Sequence, residues 1–157
     1  MMTPGHKDRS SERVEKAYAK LKKAYLELRD SHAEMVFKLA LVAEMRDRST
    51  GVHLVRIADY SALIAEALGM SREEVEIIRM ASPMHDIGKV MLSDSILKKD
   101  GPLTKEEMAE VKKHPSVGAR IFAHAKTPLL RACQVIALSH HEKYDGSGYP
   151  GGLKGED

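Results

Sequence analysis

The sequence predicts an all-α fold: a helical bundle with a long N-terminal helix and a Gly-rich loop at its C-terminal end. Three observations carry that expectation. Apolar residues recur at helical spacing, capping signals stand where the helices start, and no segment shows the alternation of a strand. The 157 residues, 43% hydrophobic and 31% charged, suffice for one domain with one core and exclude a second full-size domain.

Residues 1–10 are polar and read as a disordered tail, whereas residues 11–47 lack Gly and Pro and predict one long helix. Val14, Leu21, Leu28 and Met35 repeat every seven residues, with Ala17, Ala24 and Ser31 between them, the spacing of a short coiled-coil seam. Two readings stay open for residues 11–38, a stalk that forms a homodimer or a solvated helix lying on the domain. After Thr50-Gly51, Leu54, Ile57, Ala58, Leu63, Ile64 and Leu68 predict a second helix, which Gly69 ends as a C-terminal cap. Ser71 with Glu74 is a capping box opening a third helix, which runs to Pro83, just ahead of His85-Asp86. Thr104 with Glu107 makes another box, Pro115 and Pro128 sit as first-turn prolines, and two more helices reach Glu142. Gly146, Gly148, Gly151, Gly152 and Gly155 put five of the 11 glycines into ten residues, a shaped loop. No helix follows that loop before Asp157, so the domain over residues 39–157 is expected to lack its C-terminal part.

With 25 basic and 23 acidic residues the net charge is +2, which gives no broad footprint for a nucleic acid polymer or an anionic membrane. Lys38, Glu44 and Arg131 break the longest apolar runs below the roughly 18 residues a bilayer span needs. The polar N-terminus has no signal-peptide pattern, and the expected location is the cytoplasm. The single Cys133 lies in an apolar helical stretch and is expected to be a buried, inert thiol.

Eight histidines beside two Phe and no Trp are the unusual feature. A lone histidine is more often structural than a ligand, and His6, His32 and His124 are read that way. The other five, His53, His85, His114, His140 and His141, each fall near a helix end or a Pro/Gly break, where several helices can bring them to one point. Imidazole with carboxylate suits zinc, iron, manganese or nickel. Asp86 can bridge two ions about 3.5–4 Å apart with its two oxygens.

The strings His85-Asp86-Ile87-Gly88-Lys89, His114-Pro115-Ser116-Val117-Gly118 and His140-His141-Glu142 with Asp145-Gly146-Ser147-Gly148-Tyr149-Pro150 closely resemble the HD-GYP family, a subset of the HD superfamily of metal-dependent phosphohydrolases. The resemblance covers residues 39–157. It implies an all-α HD-domain bundle of bacterial origin that hydrolyses cyclic di-GMP to pGpG, and on to GMP, at two divalent or mixed-valence metal ions, iron or manganese. It implies His53, His85, Asp86, His114, His140 and His141 as metal ligands and Asp86 and Lys89 as catalytic. Gly148, Tyr149 and Pro150 match the name-giving tripeptide near the substrate, against the alternative that they only shape a loop. Arg56, one turn after His53, reads as a phosphate contact or, more simply, a surface ion pair. An upstream receiver or sensor domain joined through the long helix fits the same family.

Two departures matter. Members with a third metal carry Glu four residues before the first ligand histidine, where this chain has Ser49; Glu44 is nine residues before His53 and does not match. The family's last Asp ligand lies further along than residue 157. A non-catalytic nucleotide- or metal-binding signalling module is therefore the alternative reading, and another phosphohydrolase activity is a third, which the Gly-Tyr-Pro loop argues against.

Overall fold

The computed structural model describes residues 9–46 and 51–156. It is all-α, with helices α1 (Arg9–Glu44), α2 (Gly51–Ala67), α3 (Arg72–Ala81), α4 (Asp94–Leu97), α5 (Lys105–Val111), α6 (His114–Ile121) and α7 (Pro128–Ser139). Two 3-10 segments, Ser82–Met84 and Ile87–Met91, flank His85 and Asp86.

Local signals set the boundaries. In the capping box of α3 the Ser71 hydroxyl accepts the Glu74 N–H at 3.3 Å, and the Glu74 carboxylate accepts the Ser71 N–H at 2.8 Å. Thr104 and Glu107 repeat the exchange at α5. Gly69, at φ +76°, takes the left-handed conformation that lets the chain leave α2. Pro115 and Pro128 stand in the first turns of α6 and α7.

Three details differ from the sequence expectation. Helix α1 starts at Arg9, inside the span predicted as a tail, while residues 1–8, with His6, lie outside the described residues. So do Asp47, Ser49 and Thr50. Helix α7 ends at Ser139, because the chain turns directly after the His140 amide closes on the Ile136 carbonyl at 3.1 Å. The short α4 was not predicted; four residues carry too little periodicity to register.

Contacts divide the chain into two units, Met1–Met35 and Val36–Asp157. In the first, Val14, Tyr18, Leu21, Tyr25 and Leu28 stay 56–69% exposed. In the second, Val36, Ala40, Leu54, Met84, Phe122 and Cys133 belong to one core cluster. There α2 packs on α3, α3 on α7, α7 on α6, and the segment Ile87–Met91 lies along α6. Cys133 is fully buried, and burial pushes its thiol up to about 11, so it is protonated and unreactive at neutral pH, as expected. No helix among the described residues is long and apolar enough to cross a membrane.

Candidate metal centre

The packing of Ile87–Met91 against α6 places Asp86 beside His114. A Cβ on Gly88 would fall 1.9 Å from the His114 carbonyl oxygen and 2.6 Å from the Gly118 nitrogen, so only glycine permits this approach. Gly118 lies inside α6, where its lack of a side chain lets Ala137 of α7 and Gly88 come close. The glycines of two separate motifs thus meet, and α7 delivers His140 and His141 from its C-terminal end to the same point.

Asp86, His114, His140 and His141 each offer a ligand atom, all within 4.8 Å of one another. His114 Nε2 lies 3.1 Å and His140 Nε2 3.5 Å from Asp86 Oδ1, and the two Nε2 atoms are 3.1 Å apart. His85 Nε2 is 3.2 Å from Asp86 Oδ2, and Lys89 Nζ is 2.9 Å from the same oxygen. His53, exposed near the start of α2, reaches the group through His85, with ring centres 5.9 Å apart. Arg56 is exposed on α2.

The tautomers decide what this arrangement is for. His85 Nδ1 lies 3.0 Å from the Ser82 carbonyl, His114 Nδ1 2.6 Å from the Val111 carbonyl, and His140 Nδ1 3.1 Å from the Ala137 carbonyl. A carbonyl only accepts, so each Nδ1 carries the hydrogen, and Nε2 is the nitrogen left to offer a lone pair to a cation whenever the ring carries no second proton. Three Nε2 atoms therefore converge on a carboxylate. Asp86 Oδ1 is correspondingly a buried atom with no hydrogen-bond partner, although two nitrogens stand within ion-pair distance. Such a convergence of Nε2 atoms on one carboxylate suits a shared cation, and the carbonyls that fix Nδ1–H are the outer partners that metal-binding histidines use. The residues fit a metal ion.

The electrostatics keep Asp86 ionised. Burial opposes its ionisation, yet hydrogen bonds from His114, His140 and His85 and the charge of His85 outweigh that and hold the carboxyl far below its usual range. A bound cation would take the place of the Nε2 protons. Burial also disfavours a charged His85, and there the Asp86 carboxylate wins and raises its pKa, with buried Glu44 adding negative charge nearby. His141 is pushed down to about 4 by burial and then by its neighbours His140 and His114, so it is neutral and ready to ligate at pH 7.

The glycine-rich loop is tied to this centre. Tyr149 stacks on His141, ring centres 4.5 Å apart and planes 19° from parallel, and its N–H donates to the His141 carbonyl at 3.2 Å. A Cβ on Gly148 would come within 2.5 Å of Glu142 Cα and of Lys143 N, which is why glycine precedes the tyrosine. The Glu142 carboxylate accepts the N–H groups of Gly151 at 2.6 Å and Leu153 at 3.0 Å and so clamps the loop. Pro150 is exposed beyond the stack.

The HD domain family matches residues 13–157. The chain belongs to that family. Its motifs and relatives place it in the HD-GYP branch. It is 46% identical over 123 residues to the cyclic di-GMP phosphodiesterase response regulator RpfG of Xanthomonas campestris, which covers 78% of this chain and 32% of that protein. A cyclic di-GMP phosphodiesterase of Thermotoga maritima is 46% identical over 121 residues, 77% of this chain and 33% of the relative. A 3'3'-cGAMP-specific phosphodiesterase 2 of Vibrio cholerae is 43% identical over 129 residues, 82% and 25% respectively. This HD-GYP chain spans about a third or less of the length of these curated relatives.

The structure also places residues that the sequence analysis assigned no role. Glu142 clamps the loop, Gly88 and Gly118 bring the motifs together, and Glu44 is 4% exposed although charged. A glycine inside a helix, otherwise costly by about 1 kcal/mol, was the available signal for Gly118. Nothing local marks Glu44.

Proposed function

We propose that this HD-GYP domain, residues 39–157, is a metal-dependent phosphodiesterase that hydrolyses cyclic di-GMP to pGpG and on to GMP. The observation that carries the reading is the convergence of imidazole nitrogens on the buried Asp86 carboxylate, whose Oδ1 has no hydrogen-bond partner, an arrangement that suits cations; the substrate class comes from the relatives' names. His53, His85, Asp86, His114, His140 and His141 would hold two divalent or mixed-valence ions, iron or manganese. Bound there, such ions acidify water and polarise a phosphodiester.

The chain's own groups do the rest. Asp86 offers one oxygen to His114 and His140 and the other to His85 and Lys89, as a bridging carboxylate would. The Lys89 ammonium, 2.9 Å from Oδ2, fixes that carboxylate and adds positive charge where charge develops on the phosphoryl oxygens. The carbonyls of Ser82, Val111 and Ala137 keep the Nδ1 protons in place, so the Nε2 atoms of His85, His114 and His140 would be the ones to hold the ions. Gly148, Tyr149 and Pro150 form the substrate side of the site, with Tyr149 closing one face of His141.

The test is anaerobic reconstitution of the 157-residue chain with iron or manganese, incubation with cyclic di-GMP and chromatography of the products. Metal-dependent pGpG and GMP are expected. Nucleotide binding without product would replace the enzyme by the binding module, and turnover of 3'3'-cGAMP alone would move the substrate to that of the Vibrio cholerae relative.

The same proposal includes a homodimer through α1, an input domain of receiver or sensor type, and a cytoplasmic location. Support for the dimer is the row Val14, Tyr18, Leu21, Tyr25 and Leu28, alternately four and three residues apart and more than half exposed, a self-complementary seam for an identical helix. Tyr18 and Tyr25 extend the predicted seam. Sedimentation is expected to give a dimer at micromolar concentration and a monomer for the Leu21→Glu, Leu28→Glu double variant. A monomeric parent chain would remove the stalk.

A further inference from the structure

Two lysines stand near the centre, and they are not equivalent. Lys89 is engaged with Asp86. Lys112, the C-terminal cap of α5 and two residues before His114, holds its Nζ over the Tyr149 ring, 5.2 Å from the ring centre. The same ring stacks on His141, so Tyr149 links the ammonium to the metal centre. Among the described residues Lys112 makes no ion pair, whereas its neighbour Lys113 is paired with Glu110. Lys112 is exposed and also borders a surface pocket with Leu103, Met108 and Ala109.

A cyclic dinucleotide carries two phosphodiesters in one ring, and only one can be cleaved at a time. The other must be held off the metal centre by something cationic that the centre itself does not consume. We infer that Lys112, seated on Tyr149 one ring away from His141, binds the uncleaved phosphate of the cyclic dinucleotide. This rests on the phosphodiesterase reading above. The cation–π contact fixes the ammonium while leaving its hydrogens for phosphate oxygens. It also gives Tyr149 two tasks, stacking on His141 and seating Lys112.

The test compares the parent chain with Lys112→Met and Lys112→Arg, all loaded with manganese. For Lys112→Met, KM and the dissociation constant for cyclic di-GMP, by calorimetry, are expected to rise about tenfold, with kcat and metal content unchanged. Lys112→Arg is expected to stay within about threefold of the parent, since its charge reaches the same phosphate. Bis(p-nitrophenyl) phosphate, with a single phosphate, is expected to be handled alike by all three. Cyclic di-GMP affinity unchanged in Lys112→Met would overturn the assignment. So would equal weakening towards the single diester, which would put Lys112 at the cleaved phosphate. Absence of turnover in the parent chain judges the phosphodiesterase reading, while the ratio of dissociation constants judges Lys112; a parent chain that binds no cyclic di-GMP overturns Lys112 as well.

Discussion

Asp86→Ala is expected to empty the metal centre and abolish hydrolysis together. Among the described residues Asp86 is the carboxylate against which the Nε2 atoms of His85, His114 and His140 all lie. Its removal leaves imidazoles facing one another at 3.1 Å with no carboxylate to balance a cation. Losing an outer partner of a metal ligand typically costs 10- to 100-fold in affinity, so losing a shared carboxylate is expected to cost at least about 100-fold. The value of kcat/KM is expected to fall at least about a thousandfold, some 4 kcal/mol of transition-state stabilisation. Metal analysis after desalting checks the first part and product chromatography the second. Thermal melting separates both from misfolding: added manganese is expected to raise the melting temperature of the parent chain by binding the folded state and to leave that of the variant where it was. Hydrolysis retained in the variant would remove Asp86 from the bridging role and with it the argument from the imidazoles that converge on it.

The legible parts of the fold were those governed by neighbours in sequence. Ser71 with Glu74 and Thr104 with Glu107 act within one turn, and Pro115 and Pro128 act on their own first turns, so their effects can be read without tertiary structure. The candidate ligands were legible as motifs, but the reason they belong together was not. The tautomers depend on the carbonyls of Ser82, Val111 and Ala137, and no residue type announces where a carbonyl points. No motif marks Lys112 among the surface lysines, because the ring beneath it, Tyr149, lies thirty-seven positions later. Tyr18 and Tyr25 carry polar hydroxyls and so escaped a seam sought among aliphatic residues, although their bodies are as exposed as Leu21. Long-range approach decides the place of Lys112 and the meeting of Gly88 with Gly118, whereas the carbonyls that orient the histidines lie only three residues back in the chain and their direction is set by backbone conformation.

Gly88→Ala is expected to be the most damaging single-methyl change in the domain. The added Cβ would sit 1.9 Å from the His114 carbonyl oxygen, 2.6 Å from the Gly118 nitrogen and 2.9 Å from the His114 carbonyl carbon. All three are backbone atoms, so no side chain can swing aside, and Ile87–Met91 must move away from α6 by more than about 1 Å to restore van der Waals contact. Overpacking of this kind costs about 3 kcal/mol or more, a large part of the stability of a domain this size. The same movement carries Asp86 away from His114, now 3.1 Å from it, so metal affinity is expected to fall even in molecules that remain folded. Gly118→Ala is the informative partner. Its Cβ would meet the Ala137 methyl at 3.1 Å and the Gly88 nitrogen at 3.3 Å, a squeeze of tenths of an ångström. Inside α6 the replacement also gains about 1 kcal/mol of helix propensity, so its net effect is expected near zero. Chemical denaturation of both variants, with metal content measured in parallel, checks the pair. A Gly88→Ala chain as stable and metal-replete as the parent would show that Ile87–Met91 does not lie against α6 as described, and the convergence of Asp86 with His114 would fall with it.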